Sequence, residues 1–201
     1  MPANLNLSPA ERAVLETAVV GIAGAGGLGS NCAAHLVRAG VRRLVIADFD
    51  TVAPGNLNRQ FFFRDQIGCR KVEALKENLL RIEPDLELEM HDLRIDGDNI
   101  HALFASCAVV AEAFDAAAAK TMLLRELLPT GKTVVSVSGI AGWGRSGALK
   151  LRRVGANLIL IGDLERGVDP GSHLYPASPR VGIAAAMQAN SIVATLLKQE
   201  L

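Results

Sequence analysis

The sequence predicts an α/β fold of the Rossmann-like type, with a mostly parallel sheet flanked by helices and an antiparallel extension near the C-terminus. Short apolar runs alternate with helical patterns from residue 17 to residue 139, and this alternation implies crossover connections between parallel strands. A glycine-rich turn follows the first apolar run, and two later runs have no helix between them. The 201 residues suit one domain, so we predict a single domain over residues 1–201.

A capping box predicts the first helix, because Ser8 and Glu11 flank a proline at the first helical position. This helix should run through about Glu16. The parallel strands are predicted within five apolar runs, at residues 17–24, 42–48, 86–92, 107–114 and 132–139. The helices that connect them are predicted at residues 29–39, 69–82, 99–105 and 116–128. Gly40 should end the first connecting helix.

The pattern changes beyond residue 139. Residues 147–153 and 157–162 predict two strands without an intervening helix, which gives the antiparallel extension. Residues 180–199 predict a long helix, rich in small residues, that should pack closely against the sheet. Between them, residues 163–180 are rich in Gly, Pro and charge, and we predict a mobile loop that is long enough to be functional.

Charge and cysteine usage disfavour several classes of protein. Lys and Arg number 21, and Asp and Glu number 21, so nothing in the zero net charge suggests nucleic acid or an anionic membrane as partner. No apolar run is long enough for a transmembrane helix. Cys32, Cys69 and Cys107 form no CxxC pair, so we expect no zinc site. Their odd number indicates free thiols and a cytoplasmic protein, with Cys69 and Cys107 interpreted as buried small residues.

The glycine-rich turn predicts a nucleotide site. Its glycines, which allow backbone N–H groups to approach phosphate oxygens at the start of a helix, are Gly24, Gly26, Gly27 and Gly29. Asp48 ends the second strand, where a carboxylate commonly binds ribose hydroxyls. A structural alternative is that the glycines serve only helix–strand packing. The turn alone does not distinguish a dinucleotide from ATP.

A dense polar cluster follows the second strand and favours a triphosphate. Asn56, Asn58, Arg59 and Gln60 stand together, and Lys71 follows eleven residues later at the start of the next predicted helix. Arginine and amide donors can bind several phosphate oxygens at once, whereas a dehydrogenase needs no such cluster at this point. For Lys71 alone, a solvated helix residue would be the simpler interpretation.

Asp115 follows the fourth predicted strand, and carboxylates at such strand ends face the ligand crevice of an open α/β sheet. With ATP present, Asp115 is a natural Mg²⁺ ligand. The alternative is that it caps the following helix, and both roles are compatible. Glu112 should point away or lie near the sheet edge, and we assign it no role.

Taken in chain order, GAGGLGS, DFDTVAPGNLNRQFF, QIGCRK and Asp115 resemble the adenylating domain of the ThiF/MoeB family, the bacterial relatives of ubiquitin-activating enzymes. The resemblance covers residues 18–152 firmly and the C-terminal segment more loosely. NLNRQ at this spacing is its most specific part. The short length and the lack of paired CxxC motifs favour the short ThiF type over the MoeB type.

The resemblance implies an adenylyltransferase that uses ATP and Mg²⁺ to activate the C-terminal glycine of a ubiquitin-like sulfur carrier protein ending in Gly-Gly, for thiamine thiazole biosynthesis. The carrier carboxylate is already ionised at neutral pH, so no general base is needed. The implied roles are nucleotide binding by Gly24, Gly26, Gly27 and Gly29, ribose binding by Asp48, a place near the adenylate for Asp50, phosphate binding by Asn56, Arg59, Gln60 and Lys71, and Mg²⁺ binding by Asp115. The catalytic candidates are Arg59, Lys71 and Asp115.

Two departures from the family affect the partners that we expect. Family members supply an arginine across a homodimer from an N-terminal segment, and this chain offers only Arg12 there. We still expect a homodimer. Some members use a catalytic cysteine after the strand at residues 132–139, but no cysteine follows Cys107. We therefore expect no thioester or persulfide step on this chain unless Cys69 or Cys107 serves, and we interpret both as buried small residues instead.

The stretch SGIAGWGRSG, at residues 138–147, leaves two interpretations open. The family threads the carrier tail here, and the glycines would let an extended peptide lie close. Alternatively, the stretch is a plain strand-to-strand turn with a packed Trp143. His173 and Tyr175, in the loop at residues 163–180, could close over the carrier tail, but we interpret them as solvated loop residues.

Two other functions are compatible with parts of the sequence. An NAD-dependent oxidoreductase would use the glycine turn and Asp48 but would leave NLNRQ and Lys71 unexplained. A non-catalytic partner of a heterodimeric activating enzyme should have lost its phosphate-binding residues, and this chain retains them. Related enzymes act on other carboxylates or on a modified tRNA base, which the neutral charge disfavours.

Overall fold

The computed structural model describes residues 7–201 and contains seven strands and six α-helices. The strands are β1 Val19–Ala23, β2 Arg43–Ala47, β3 Glu87–His91, β4 Val109–Glu112, β5 Thr133–Val137, β6 Lys150–Val154 and β7 Leu158–Gly162. The helices are α1 Pro9–Thr17, α2 Gly27–Ala39, α3 Lys71–Leu80, α4 Ile100–Leu103, α5 Ala117–Leu127 and α6 Ser178–Leu196. Every predicted strand and helix is present.

The strands form one sheet in the order β3-β2-β1-β4-β5-β7-β6. All neighbouring strands are parallel except β6 and β7, which pair antiparallel, and the predicted mostly parallel sheet with an antiparallel extension is confirmed. The strand order reverses direction between β1 and β4. In open sheets of this type, ligands bind outside the carboxyl ends of the strands at such a reversal.

Both faces of the sheet are covered, which explains why its central strands are nearly continuous apolar runs. Leu44 and Ile46 of β2 face a cluster that includes α2 and α6, whereas Val45 and Ala47 face a second cluster that includes α4 and α5. The last helix, α6, contacts α2 as well as the sheet, as its small residues predicted. No helix within residues 7–201 is both long and apolar enough to cross a membrane.

The predicted helix signals form as expected. The Ser8 hydroxyl accepts a hydrogen bond from the Glu11 N–H, and the Glu11 carboxylate accepts one from the Ser8 N–H, which completes the capping box of α1. Gly40 ends α2 with φ of 111°, a left-handed conformation that glycine adopts without a steric penalty. Helix α2 begins at Gly27, two residues before the predicted start.

One expectation needs correction. Cys69 is exposed rather than buried, because it lies in the turn between residues 66 and 70, whereas Cys107 is buried as predicted. The segment predicted as a mobile loop, residues 163–180, makes several backbone hydrogen bonds. Asp169 and Leu174 bond to each other, and Gly142 donates to the Tyr175 carbonyl at 2.8 Å. This segment therefore lies against residues 141–142, in the loop that follows β5.

Candidate nucleotide site

The glycine-rich turn connects β1 to α2 and packs tightly against its surroundings. Gly24 has φ of 100°, and a Cβ atom there would come within 3.1 Å of the Ala113 carbonyl oxygen, just beyond β4. A Cβ atom at Gly29 would overlap the Gly24 carbonyl oxygen. These glycines let the turn fold onto the first residues of α2, so the helix N-terminus opens at the reversal of strand order.

Asp48 lies directly after β2 and is joined to the glycine turn. Its Oδ2 accepts a hydrogen bond from the Ala25 N–H at 2.7 Å, and its Oδ1 accepts one from the Asp50 N–H at 2.8 Å. Each carboxylate oxygen retains a further lone pair. The residue is half-buried, which suits a group that fixes the turn and still meets a ligand.

The NLNRQ segment also contacts the start of α2. The Asn31 side-chain amide donates to the Gly27 carbonyl at 2.7 Å and to the Arg59 carbonyl at 2.9 Å. The Phe61 N–H donates to the Ser30 hydroxyl at 3.0 Å. These bonds bring the predicted cluster to the glycine turn. Asn31 is not among the predicted site residues, and its sequence signal is a polar residue at i+4 from Gly27.

The donors of this segment are only partly used within the protein. Arg59 Nη1 donates to the Gly55 carbonyl at 3.2 Å and to the Asn58 Oδ1 at 2.7 Å, and neither Nε nor Nη2 binds a group within residues 7–201. The Gln60 Oε1 is buried without a partner there. Asn56 Oδ1 accepts the Ala53 N–H at 2.9 Å, so its oxygen shapes the turn and its amide N–H groups remain available.

Lys71 begins α3 as predicted, and its ammonium lies 2.7 Å from the Asp50 Oδ2. The Lys71 side chain is 6% exposed and that of Asp50 is 50% exposed. The Lys71 N–H also donates to the Asp50 carbonyl at 3.0 Å. The pair therefore couples α3 to the segment after β2, with its carboxylate facing solvent and its ammonium beneath.

Asp115 lies in the turn between β4 and α5, next to the residues that contact the glycine turn. Its side chain is exposed, and within residues 7–201 no hydrogen bond or ion pair occupies its carboxylate. The N-cap of α5 is Ala116 and has no side-chain cap, so the predicted capping role for Asp115 is not observed. The described residues contain no group of three or more His, Cys, Asp or Glu side chains that could hold a metal ion.

Glu112 is the last residue of β4, the central strand, so the expectation that it lies near the sheet edge is wrong. Its side chain is fully buried, and Lys120 of α5 donates to both carboxylate oxygens at 3.0 and 2.9 Å. The Ser136 hydroxyl and the Phe114 N–H donate to it at 2.5 and 2.8 Å. The sequence signal was a charged residue inside an apolar run, which requires a buried partner.

A second buried ion pair also lies at the carboxyl ends of the strands, beside the loop after β5. Arg180 of α6 and Asp163, just after β7, are 2.7 Å apart, with side-chain exposures of 1% and 2%. Arg180 also donates to the carbonyls of Gly139 and Gly144 at 3.2 and 2.8 Å. Trp143, within the segment that Arg180 fastens, is 71% exposed, which excludes the packed tryptophan considered above.

A protein-family model described as the ThiF family matches residues 3–201. Adenylyltransferase and sulfurtransferase UBA4 of Candida glabrata is 32% identical over 142 residues, which is 70% of this chain and 33% of that protein. Ubiquitin-like modifier-activating enzyme 5 of Oryza sativa is 45% identical over 76 residues, which is 38% of this chain and 18% of that protein. The chain thus spans about a third or less of the length of these curated relatives.

Solved structures share the fold. The Escherichia coli tRNA N6-threonylcarbamoyladenosine dehydratase TcdA, in complex with AMP, has a TM-score of 0.86 at 18% identity and covers 94% of this chain and 90% of its own. Escherichia coli MccB with ATP has a TM-score of 0.72 at 20% identity, over 94% of this chain and 59% of its own. At these identities the likeness establishes the Rossmann-like fold alone.

Proposed function

The chain belongs to the ThiF family, and we propose that it is an ATP-dependent adenylyltransferase. The substrate that we propose is the C-terminal glycine of a ubiquitin-like sulfur carrier ending in Gly-Gly, in the cytoplasmic synthesis of the thiamine thiazole. The adenylyl-transfer part draws support from UBA4, which is named an adenylyltransferase. The carrier and the pathway rest on the resemblance of the NLNRQ and glycine motifs.

One observation carries the proposal: the donors of the NLNRQ segment meet the N-terminus of α2. Asn31 bonds to the carbonyls of both Gly27 and Arg59, so the guanidinium and the N–H groups at the helix start belong to one surface. A helix N-terminus favours negative charge, and arginine can bind two phosphate oxygens at once. A triphosphate uses all of these groups together.

In the proposed reaction, a carboxylate oxygen of the carrier's terminal glycine attacks the α-phosphorus of ATP. The bond from the α-phosphorus to the oxygen bridging the β-phosphate breaks, and pyrophosphate leaves with that electron pair. The product is an acyl-adenylate. Arg59 would stabilise the charge that develops on the phosphate oxygens. Lys71 would share its three N–H donors between Asp50 and the phosphates, and Asp48 would hold the ribose.

The site also fits Mg²⁺ as the ion that accompanies ATP. Asp115 presents an exposed carboxylate at the carboxyl end of β4, beside the glycine turn. Magnesium usually takes one or two protein carboxylates together with substrate phosphates, so the lack of a larger acidic cluster among residues 7–201 agrees with this role. Asp115 would hold the ion, which when bound offsets phosphate charge.

For the carrier, we propose docking on the surface formed by Trp143, Val168 and Tyr175. These side chains are 71%, 58% and 52% exposed, and the Gly142 N–H bonds to the Tyr175 carbonyl, so the segments that carry Trp143 and Tyr175 lie side by side. The protein would act as a homodimer. Because Trp143 is the single tryptophan, its fluorescence reports on carrier binding.

ATP–pyrophosphate exchange with Mg²⁺ tests the proposal, with an intact sulfur carrier, with the same carrier lacking its Gly-Gly tail, and with a tRNA in place of the carrier. We expect exchange only with the intact tail, and its loss in Asp115→Ala with an unchanged circular dichroism spectrum. ATP binding without exchange across several carriers would contradict the proposal and favour another carboxylate substrate or a non-catalytic partner. Binding of NADH in place of ATP would favour the oxidoreductase.

A further inference from the structure

Glu112 makes an unusually complete set of contacts for a residue that touches no ligand surface. Its buried carboxylate accepts hydrogen bonds from Lys120, Ser136 and Phe114, and its carbonyl accepts one from the Gln188 side chain at 2.9 Å. These donors come from α5, β5, the turn after β4, and α6. The carboxylate therefore joins α5, β5 and the turn after β4 at the carboxyl end of the sheet, and the Glu112 carbonyl adds α6.

The turn that carries Asp115 depends on these contacts. It comprises residues 113–116 and has few other restraints, because α5 begins without a side-chain cap. The Ala113 N–H donates to the Ala23 carbonyl at 3.0 Å, and the Phe114 N–H donates to the Glu112 Oε1 at 2.8 Å. Lys120 pulls the first turn of α5 toward β4 and also donates to the Val137 carbonyl at 3.0 Å. Both sides of Asp115 are thus fastened to one carboxylate.

The charge on Glu112 is essential to this arrangement. Its two oxygens receive four hydrogen bonds, two of them from an ammonium group. A glutamine at this place would offer one accepting oxygen and would turn two N–H groups toward the donors. Lys120 would then lose its counter-ion in a partly buried place, where an unpaired charge is costly.

We propose that Glu112 is a positioning residue that fixes the turn bearing Asp115, so that the Asp115 carboxylate meets the cation of the metal–ATP complex without rearrangement. The inference rests on the proposed function, because the cation is the one that accompanies ATP. It assigns Glu112 and Lys120 a role through Asp115 and none in direct contact with substrate.

The test compares Glu112→Gln and Lys120→Gln with the wild type by calorimetric titration of ATP, once with EDTA and once with excess Mg²⁺. The ratio of the two dissociation constants measures how much the metal tightens nucleotide binding. We expect this ratio to fall about tenfold in both variants, as for residues that orient metal ligands. In Asp115→Asn, the metal should no longer tighten nucleotide binding. Binding of metal-free ATP should stay unchanged in Glu112→Gln and Lys120→Gln.

Amide hydrogen exchange of Phe114 in the free protein supplies a readout that needs neither ATP nor activity. We expect its exchange to be about tenfold faster in Glu112→Gln, because the accepting carboxylate is lost. If wild-type protein fails to bind ATP, the proposed function fails while this measurement still decides the positioning role. If Glu112→Gln does not fold, Ser136→Ala takes its place, because it removes one donor to the Glu112 carboxylate and leaves the charges of Glu112 and Lys120 paired.

Lys132→Met is the matched control. Lys132 also donates to backbone carbonyls, those of Ala105 and Cys107 at 2.9 and 3.0 Å, but it lies at the amino ends of the strands, away from Asp115. It should change neither the metal ratio nor the Phe114 exchange rate. A wild-type metal ratio together with wild-type Phe114 protection in both Gln variants would overturn the proposal and leave Glu112 as a structural residue.

Discussion

Two ion pairs, each a cation against an aspartate, lie at the carboxyl ends of the strands on either side of the sheet's centre, and they differ in exposure. On the β1–β3 side, the Asp50 partner of Lys71 is 50% exposed. On the β5–β7 side, Arg180 and Asp163 are 1% and 2% exposed. Arg180 further binds backbone carbonyls, and Asp163 accepts N–H groups of Glu165 and Arg166 at 2.9 Å. One pair retains capacity for a ligand, and the other is saturated by the protein itself.

The difference teaches how to separate binding groups from structural groups in this fold. A saturated, buried pair holds loops in place, so its loss should act on stability. The Lys71–Asp50 pair is half-open, because its carboxylate is exposed, and it lies in the same site as the unused donors of Arg59. Substitutions on this side should weaken ligand binding and leave stability nearly intact. Substitutions on the two sides of the sheet test whether ligand binding and stability can be separated in this way.

The largest effect on stability is expected for Arg180→Met. Asp163 would remain buried without its counter-ion, and breaking a buried ion pair from one side costs about 3–5 kcal/mol. Urea unfolding measures the loss. Arg153→Met, at an exposed position of β6, is the control and should stay within about 0.5 kcal/mol of the wild type. A loss below about 1 kcal/mol in Arg180→Met would show that the pair contributes little to the fold.

On the other side, Arg59→Ala should remove catalysis and preserve the fold. Loss of one donor to the developing phosphate charge is expected to lower the rate of ATP–pyrophosphate exchange about 10²–10³-fold. The unfolding free energy should change by less than about 0.5 kcal/mol, because within residues 7–201 the Arg59 guanidinium bonds only to its own segment. Arg64→Ala, exposed in the following turn, is the matched control. Equal activity in both variants would remove Arg59 from the site.

The saturated pair also predicts an acid limit. Burial raises the pKa of Asp163, but the N–H groups of Arg166 and Glu165 and the Arg180 guanidinium outweigh it and hold the pKa below the ordinary value of 3.8. Because the folded pKa is lowered, the stabilisation is present above the unfolded pKa and is lost as pH falls below about 4. Unfolding free energies from pH 7 to pH 3 should therefore fall less steeply in Asp163→Asn. An identical slope in both proteins would assign the acid limit to other carboxylates.

Local signals predicted the positions of individual elements well. The capping box at Ser8, the left-handed Gly40 and the start of α3 at Lys71 each follow from residues within one turn of the place they define. The parallel pairing of β1 to β5 followed from the alternation of strands and helices, since a helix between two strands implies a crossover connection. The residues of the site lie where parallel strands end, so their meeting was also predictable.

Contacts between distant residues were not predictable. Glu112 meets Ser136 across 24 residues, and Arg180 meets Asp163 across 17, and no local pattern specifies either partner. Both are charges within apolar or small-residue runs, where a buried partner is required but not named. The prediction that Cys69 is buried was wrong for the opposite reason, because a local pattern was misleading. Its neighbours resemble a helix start, and only the turn that its carbonyl closes with Val52 brings the thiol to the surface.

Labelling of the three cysteines should have the smallest effect on stability, and it tests directly whether the turn that carries Cys69 is exposed. Burial raises the pKa of Cys32, and burial raises the pKa of Cys107 to about 11, so both thiols should resist a thiolate-specific reagent. Cys69 is exposed beside the half-open pair and should react alone in the native protein, with all three reacting after unfolding. Labelling should shift the unfolding free energy by less than about 0.5 kcal/mol. Cys69→Ser should abolish native labelling, and equally fast modification of Cys107 would mean that the β4 end of the sheet opens as readily as the turn.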